Sequence, residues 1–330
     1  MGPMSKLLLL PCLVLGLTFA AGCSSDPSGQ PVKLGKTFAT ADGAPVYSGT
    51  NFTSMQIYDL EANVWLDETA LLEALDDDKL VWFGEQHETA PVQELELWML
   101  QRMTKRHADV TLGMEHFQHD EQPVIDSYLA GGMSDTDFEA KSSPWANYAK
   151  YWKPLVEHMK SAGRPVVGLN VPDEALNALY GAFPKSPFTV FNGWDASSPY
   201  DASIAPRPIP KWDDTYKAYF ETSFDYAAHG QKLGLSYADA LIYFTDLAVI
   251  RDETMSYWAA QSLGAGGRVM IVAGDWHVQT GLATPDRAVR WAGNAPKTDL
   301  LSTTPKAGFD AFKTKTVSGR KLAHFAFVYQ

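Results

Sequence analysis

Four short apolar runs, each halting on polar or ionisable side chains, set the rhythm of this chain. Residues 80–88 read LVWFGEQHE. Leu80, Val81, Trp82 and Phe83 are continuous and too few for a helix, the pattern of a strand covered on both faces. After Gly84 the chain presents Glu85, His87 and Glu88. Thr89 then caps a helix with Pro91 in its first turn and Val92, Leu95, Trp98, Met99 and Met103 at helical spacing. Glu85 and His87 are thereby assigned to a βα turn. Residues 110–115 (VTLGME) stop at Glu115 and His116, residues 164–170 (RPVVGLN) at Asn170, and residues 269–277 (VMIVAGDWH) at Asp275 and His277. In an open α/β sheet the ligand site lies outside the carboxyl ends of the strands, so parallel pairing predicts that these side chains share one rim.

Between the runs the pattern changes period. Residues 24–47 are rich in Ser, Pro, Gly and Thr and read as a linker, with a hairpin turn at Asp42 and Gly43. A short strand is expected near 58–60 and a helix from Asp67 through Leu71, Leu72 and Leu75. Asp76, Asp77 and Asp78 read as a solvated turn. Helices are expected over 121–129, over 135–141 with Ser134 as cap, and over 145–159. This alternation of strands and helices across short connections predicts a parallel sheet with helical crossovers. Six prolines between Pro184 and Pro210 break the rhythm. Helices over 212–228 and 236–263 follow, so residues 173–263 form a helical insertion, and 324–328 return to the sheet. The expected fold is α/β, a mostly parallel central sheet with flanking helices and an inserted helical subdomain.

The N-terminus carries its own instruction. Lys6, an apolar run over 7–20 and Ala20-Ala21-Gly22-Cys23, followed by Ser24, Ser25, Asp26 and Pro27, form a secretory signal. Its end resembles the lipobox of bacterial lipoproteins, which implies a signal peptide over 1–22, a lipid on Cys23, an anchor linker over 23–50 and a domain over 51–330. Ser24 after the cysteine resembles an outer-membrane sorting pattern. Cys12 leaves with the signal and Cys23 is the only other cysteine, so the folded domain has no thiol. That excludes disulfides, Cys-ligated zinc, Fe–S clusters and cysteine nucleophiles from it. The net charge is −12, one unit more negative once Lys6 is lost, and nothing points to nucleic acid. No further stretch is long and apolar enough to span a bilayer, so membrane association is expected through the lipid alone.

Buried carboxylates need partners and gather where chemistry demands them. Glu85, His87, Glu115 and His277 are therefore the candidate reactive set, with Asn170, Asp275, Arg251 and Glu253 around its rim. As a hydrolase, the set offers His87 beside Glu85 as general base, Glu115 to orient it, and Arg251 or His277 to stabilise an oxyanion. As a metal centre, Glu85, His87, Glu115 and His277 supply imidazole and carboxylate suited to a divalent Zn or Mn. His107, His119, His158 and His324 read as structural.

Gly84-Glu85-Gln86-His87, Met114-Glu115-His116-Phe117, Arg251-Asp252-Glu253-Thr254-Met255 and Gly274-Asp275-Trp276-His277-Val278 come in the order found in ChaN-like haem-binding lipoproteins of the Tiki superfamily, which this chain resembles from about residue 55 onward. The resemblance implies an α/β sheet with a helical subdomain, haem binding, a role in bacterial haem and iron acquisition, and a lipid-anchored place in the cell envelope, at the outer membrane and serving a haem receptor there. A homodimer sharing the ligand stays open. The superfamily also holds Tiki-type metal-dependent proteases and erythromycin esterase-like hydrolases with the same Glu-x-His and late Gly-x-x-His, so a hydrolase is the alternative. Haem needs an axial ligand beside an apolar wall, and Cys is absent. The insertion offers Tyr216, Tyr219, Tyr226, His229, Tyr237 and Tyr243; Tyr226 and His229, just before Gly230, are the expected ligands.

Overall fold

The computed structural model describes residues 31–38, 44–264 and 266–330. The signal, Cys23 and the Asp42-Gly43 turn lie outside the described residues. The strands are β1 (Gly35–Phe38), β2 (Pro45–Ser48), β3 (Met55–Asp59), β4 (Val64–Leu66), β5 (Leu80–Glu85), β6 (Val110–Gln118), β7 (Val166–Asn170), β8 (Arg268–Gly274), β9 (Thr298–Pro305), β10 (Thr316–Val317), β11 (Arg320–Lys321) and β12 (Phe325–Tyr329). The main sheet runs β1-β2-β3-β12-β9-β5-β8-β6-β7, with β4 also on β3. From β12 to β7 every pairing is parallel. The pairings of β12 with β3, β3 with β4, β2 with β3 and β1 with β2 are antiparallel.

The continuous apolar run of β5 follows from its place in the middle of the parallel part. Val81 and Phe83 join the core on one face. Leu80 and Trp82 join the core on the other. All four are fully buried, and side chains of this size stabilise by about 1.5–3 kcal/mol each when removed from water. The first core is closed by the helix Ala90–Arg106, which buries Val92, Leu95, Trp98, Met99 and Met103 at the spacing the sequence shows. Pro91 fits the first turn of that helix, where its missing N–H leaves no bond unmade.

The second face is covered by the helix Tyr237–Gln261, whose N-terminus is capped by Ser236 accepting from the Asp239 amide. Met255 and Ala259 pack on the sheet, while Tyr243, Leu247 and Ile250 pack into the inserted helices Asp173–Gly181 and Pro187–Asn192. One helix thus ties the insertion to the site-bearing strands.

Several local expectations are corrected. Gly35–Phe38 and Pro45–Ser48, expected as linker, instead form β1 and β2. Thr89 stands at the N-cap but makes no side-chain cap bond, its hydroxyl donating to the His87 carbonyl at 3.3 Å. The helix expected over 145–159 is two, Tyr148–Tyr151 and Lys153–Ser161, meeting at Trp152 just before Pro154. The one expected over 212–228 is only Asp214–Glu221. Asp78, expected in a solvated turn, is fully buried beside the Lys297 ammonium at 3.0 Å. Burial pushes its carboxyl up to about 7, with the neighbouring Asp299 adding to the rise. No helix among the described residues is long and apolar enough to cross a membrane.

Candidate functional site

Glu85 ends β5 with no exposure of its carboxylate, and all of its acceptor capacity is used. Oε1 meets Nδ1 of His87 at 2.5 Å and Nε2 of His116 at 2.6 Å. Oε2 accepts from Gln93 Nε2 at 2.8 Å and from Trp152 Nε1 at 3.0 Å. Burial alone raises a carboxyl pKa, but His116 and then His87 outweigh it and hold Glu85 well below the ordinary range. The His87 ring, 30% exposed, is the accessible member. Burial lowers its pKa, and the charges of Glu85 and Glu115 reverse that and raise it. Trp145 stands edge-on to both imidazoles, at 5.0 Å from His87 and 4.9 Å from His116. Beneath lies Glu96, fully buried, whose carboxyl is pushed well above its ordinary value by burial and by the charge of Glu85.

A second node forms around Glu115. Its Oε1 accepts from Arg251 Nη2 at 2.9 Å and lies 3.4 Å from His277 Nε2, while Oε2 accepts from the Gly274 amide at 2.8 Å. His277 Nδ1 lies 2.5 Å from Asp252 Oδ1, and the Tyr216 hydroxyl donates to Asp252 Oδ2 at 2.5 Å. Burial pulls the His277 pKa down, but Glu115 and Asp252 prevail and push it up to about 9. Arg251 Nε reaches Asn170 Oδ1 at 3.3 Å, and the Asn170 amide donates to the Glu115 carbonyl at 3.0 Å, fixing the end of β7 to β6.

Strand alternation puts the two nodes on opposite faces of the sheet at its carboxyl end. Glu85 follows Val81 and Phe83, the side of the helix Ala90–Arg106, whereas Glu115 points toward the helix Tyr237–Gln261. They meet over Gly274. A Cβ there would stand 2.9 Å from His87 Nε2 and 3.5 Å from Glu115 Oε2, so the missing side chain is what lets the His87 ring lie across the strand end. Gly84 has a matching role, because its Cβ would fall 2.6 Å from Asp275 Oδ1. Asp275 is held by Ser302 Oγ at 2.8 Å and Gln86 Nε2 at 3.3 Å. Burial raises its carboxyl against the pull of those donors.

The structure therefore brings Glu85, His87, Glu115, His277, Asn170, Arg251 and Asp275 to one end of the sheet. It does not bring Glu253 there. Glu253 is buried against the helix Thr284–Ala292, accepting from Arg287 Nε at 3.1 Å, from Trp291 Nε1 at 2.8 Å and from Arg290. Its neighbour Asp252 takes the site-facing position. The expected metal set is also redrawn. Among the described residues, Glu85, His87 and His116 offer ligand atoms within 4.8 Å of one another, and Glu115 and His277 fall outside that group. Asp252, Gln93 and Trp152 are the members that sequence reasoning missed, and His116, expected at the rim but left out of the reactive set, joins Glu85 and His87.

Tyr226 and His229 sit away from both nodes, in the turn region between the helices Asp214–Glu221 and Tyr237–Gln261. The Tyr226 hydroxyl donates to the Leu235 carbonyl at 2.7 Å, and its ring packs so closely on Gly230 that a Cβ there would come within 2.7 Å. His229 lies between Phe224 and Phe244, with centroids at 6.4 and 5.2 Å. Burial lowers its pKa, so its imidazole is neutral near pH 7.

A family model described as haem-binding uptake, Tiki superfamily, ChaN, matches residues 71–288, and the chain belongs to that family. No curated protein matches. Among solved structures, ChaN of Campylobacter jejuni, described with cofacially bound haem, is similar over 84% of this chain and 97% of its own, at 10% identity and a TM-score of 0.58. That likeness shows a shared fold. A Bacillus cereus protein matches over 72% of this chain and 68% of its own at 12% identity and a TM-score of 0.43. An erythromycin esterase mutant in an open conformation matches over 72% of each chain at 11% identity and a TM-score of 0.42.

Proposed function

We propose that this chain, as a member of the haem-binding uptake family, carries haem as cargo on the aromatic outer face of its helical insertion, tethered to the bacterial envelope by a lipid on Cys23 and delivering its cargo to an outer-membrane receptor. The observation that carries the haem site is a set of exposed apolar side chains on the insertion. Phe183, Tyr237 and Ile242 are 38%, 45% and 42% exposed, three of the four large hydrophobic residues so exposed among the described residues. Large apolar side chains left exposed on one subdomain are what an apolar ligand there would cover. Ring contacts carry two of them inward, Phe183 to Tyr243 at 5.6 Å, Tyr243 to Phe244 at 5.4 Å, Phe244 to His229 at 5.2 Å, and Tyr237 to Phe224 at 6.0 Å.

The donor chemistry fits a porphyrin iron. Coordination requires a neutral imidazole, and burial holds His229 in that form. Tyr226 would have to surrender its bond to the Leu235 carbonyl before ligating, which puts His229 first. Hemin titrated into the full chain should give a saturable Soret shift, and Tyr237→Ser with Ile242→Ser should weaken it. An unshifted spectrum with hemin remaining free would overturn this reading.

A second reading rests on the Glu85, His87 and His116 group, whose accessible His87 beside an ionised carboxylate suits either a divalent metal or a general base. Metal analysis and an ester and peptide hydrolysis screen, with His87→Ala as control, test it.

A further inference from the structure

A basic strap crosses the part of the sheet where the parallel strands give way to antiparallel ones. Residues 306–321 hold Lys306, Lys313, Lys315, Arg320 and Lys321 against the single acid Asp310, in a chain whose net charge is −12. They fold as a turn, the helix Phe309–Thr314 and the β10–β11 hairpin, between β9 and β12. Packing fixes the strap in place. Phe309 and Phe312 lie against the second core, with the Phe309 ring 5.0 Å from Tyr58 and 5.1 Å from Trp65. Lys313 Nζ sits 4.7 Å over the Tyr58 ring, and Lys321 donates to the Leu60 carbonyl, so two cations gather on the end of β3. The Thr280 amide donates to the Leu322 carbonyl at 2.8 Å just past the hairpin. Lys306, Lys315 and Arg320 are exposed. Among the described residues only Arg320 of the five has an ion pair, with Asp286 at 2.7 Å.

We propose that this strap docks the protein on an anionic phospholipid bilayer, the one that carries the lipid on Cys23. Charge complementarity sets the class. The cations are spread along a surface segment, so an extended layer of lipid phosphates meets several of them at once where a small anion meets one. Each Lys or Arg close to an anionic leaflet strengthens binding about fivefold. The acidic remainder of the chain does not cancel this, because exposed charges farther than about 8 Å are largely screened at physiological salt. The covalent reach agrees. Pro31, the first described residue, is eight residues beyond Cys23, so it lies within about 28 Å of the lipid. The chain then enters the sheet at β1, two strand spacings or about 10 Å from β3, on which the strap rests. The anchor therefore holds this edge of the sheet within reach of the bilayer. That step rests on the lipid anchor proposed above, whereas the charge argument stands without it.

The test is co-sedimentation of the full chain with vesicles of phosphatidylcholine alone and of a three-to-one mixture of phosphatidylcholine and phosphatidylglycerol. Cys23→Ser, which cannot carry the lipid, isolates the strap, and any pull from residues 1–22 is common to every variant compared. This chain should bind the anionic vesicles more tightly than the neutral ones, and the preference should vanish near 1 M salt, where the screening length falls to about 3 Å. Adding Lys306→Gln with Lys315→Gln should weaken binding to the anionic vesicles about 25-fold, at about fivefold for each lysine. Lys105→Gln with Lys141→Gln makes the same change in net charge on exposed positions of helices that cover the first core, across the sheet, and should leave binding unchanged. Circular dichroism confirms that each variant folds. Equal binding to both vesicles, a preference that survives 1 M salt, or the same loss from both lysine pairs overturns the proposal. The anchor is read separately, on neutral vesicles. A wild-type chain that fails to stay on them removes the lipid from Cys23 and leaves the result for the strap standing.

Discussion

His277 Nδ1 lies 2.5 Å from Asp252 Oδ1, on the side of the ring opposite Glu115, so the imidazole is clamped between two carboxylates. A group whose folded pKa is raised contributes stability that is fully present below its unfolded value of about 6.5 and is lost as pH rises through the folded one. For His277 that window runs from about 6.5 to about 9. The shift is worth on the order of 3 kcal/mol at the acid end. Asp252→Asn should bring the His277 pKa down, read by NMR titration of the ring protons, and should flatten the loss of stability across that window. An unchanged titration would show that Glu115 alone holds the charge.

Gly84→Ala is expected to cost about 1–3 kcal/mol by overpacking. The new methyl would meet Asp275 Oδ1 at 2.6 Å and Val278 Cβ at 3.3 Å, and the carboxylate cannot retreat without giving up Ser302. Thermal melts of the purified variant measure it. A melting temperature equal to wild type would mean that Asp275 swings away freely.

Much of this arrangement is legible in the sequence because parallel strands bury both faces and leave their polar residues at the ends. The apolar runs at 80–83 and 269–273 place β5 and β8 directly, and Glu85, His87, Glu115, Asp275 and His277 follow from where those runs stop. What the sequence hides is phase. The helix Tyr237–Gln261 is buried almost all round, from Asp246 through Ser256, so no apolar stripe tells Asp252 from Glu253, and adjacent helical residues point about 100° apart. The part His116 plays is hidden for a different reason. Its strand shifts register against β7 between Met114 and Gln118, and alternation sends His116 to the face opposite Glu115, where only the tertiary fold supplies Glu85. Trp152 sits at a break between two helices that periodicity merges into one. Asp78 reads as one of three acidic neighbours in a turn, and its burial depends on Lys297, which is remote in sequence.

Glu253→Ala should destabilise the chain by about 3–5 kcal/mol, because it strands the buried Arg287 guanidinium without its carboxylate. Glu253→Gln, which keeps an acceptor for Trp291, should cost less. Denaturant unfolding midpoints distinguish the two. Hemin affinity at native temperature should stay unchanged in both, since Glu253 faces the helix Thr284–Ala292 rather than either proposed site.

Cys23→Ser should release the protein from membranes if that cysteine carries the lipid. Fractionation of cells expressing both forms, with mass spectrometry of the mature N-terminus, reads the outcome. A soluble wild-type protein with an unmodified Cys23 would remove the anchor from the proposal.

The most direct measurement is a hemin titration of the wild-type chain beside His229→Ala, Tyr226→Phe and His87→Ala, followed by the Soret band. His229→Ala should displace the band and weaken binding by about tenfold or more, the loss expected when a charged or metal-directed contact is removed. Tyr226→Phe should change it less, and His87→Ala should leave it intact. Because burial lowers the His229 pKa, the wild-type band should also persist as pH falls through 6.5, the ordinary histidine value. Saturable hemin binding that vanishes with His87→Ala and ignores His229→Ala would place the cargo at the sheet rim and contradict the account.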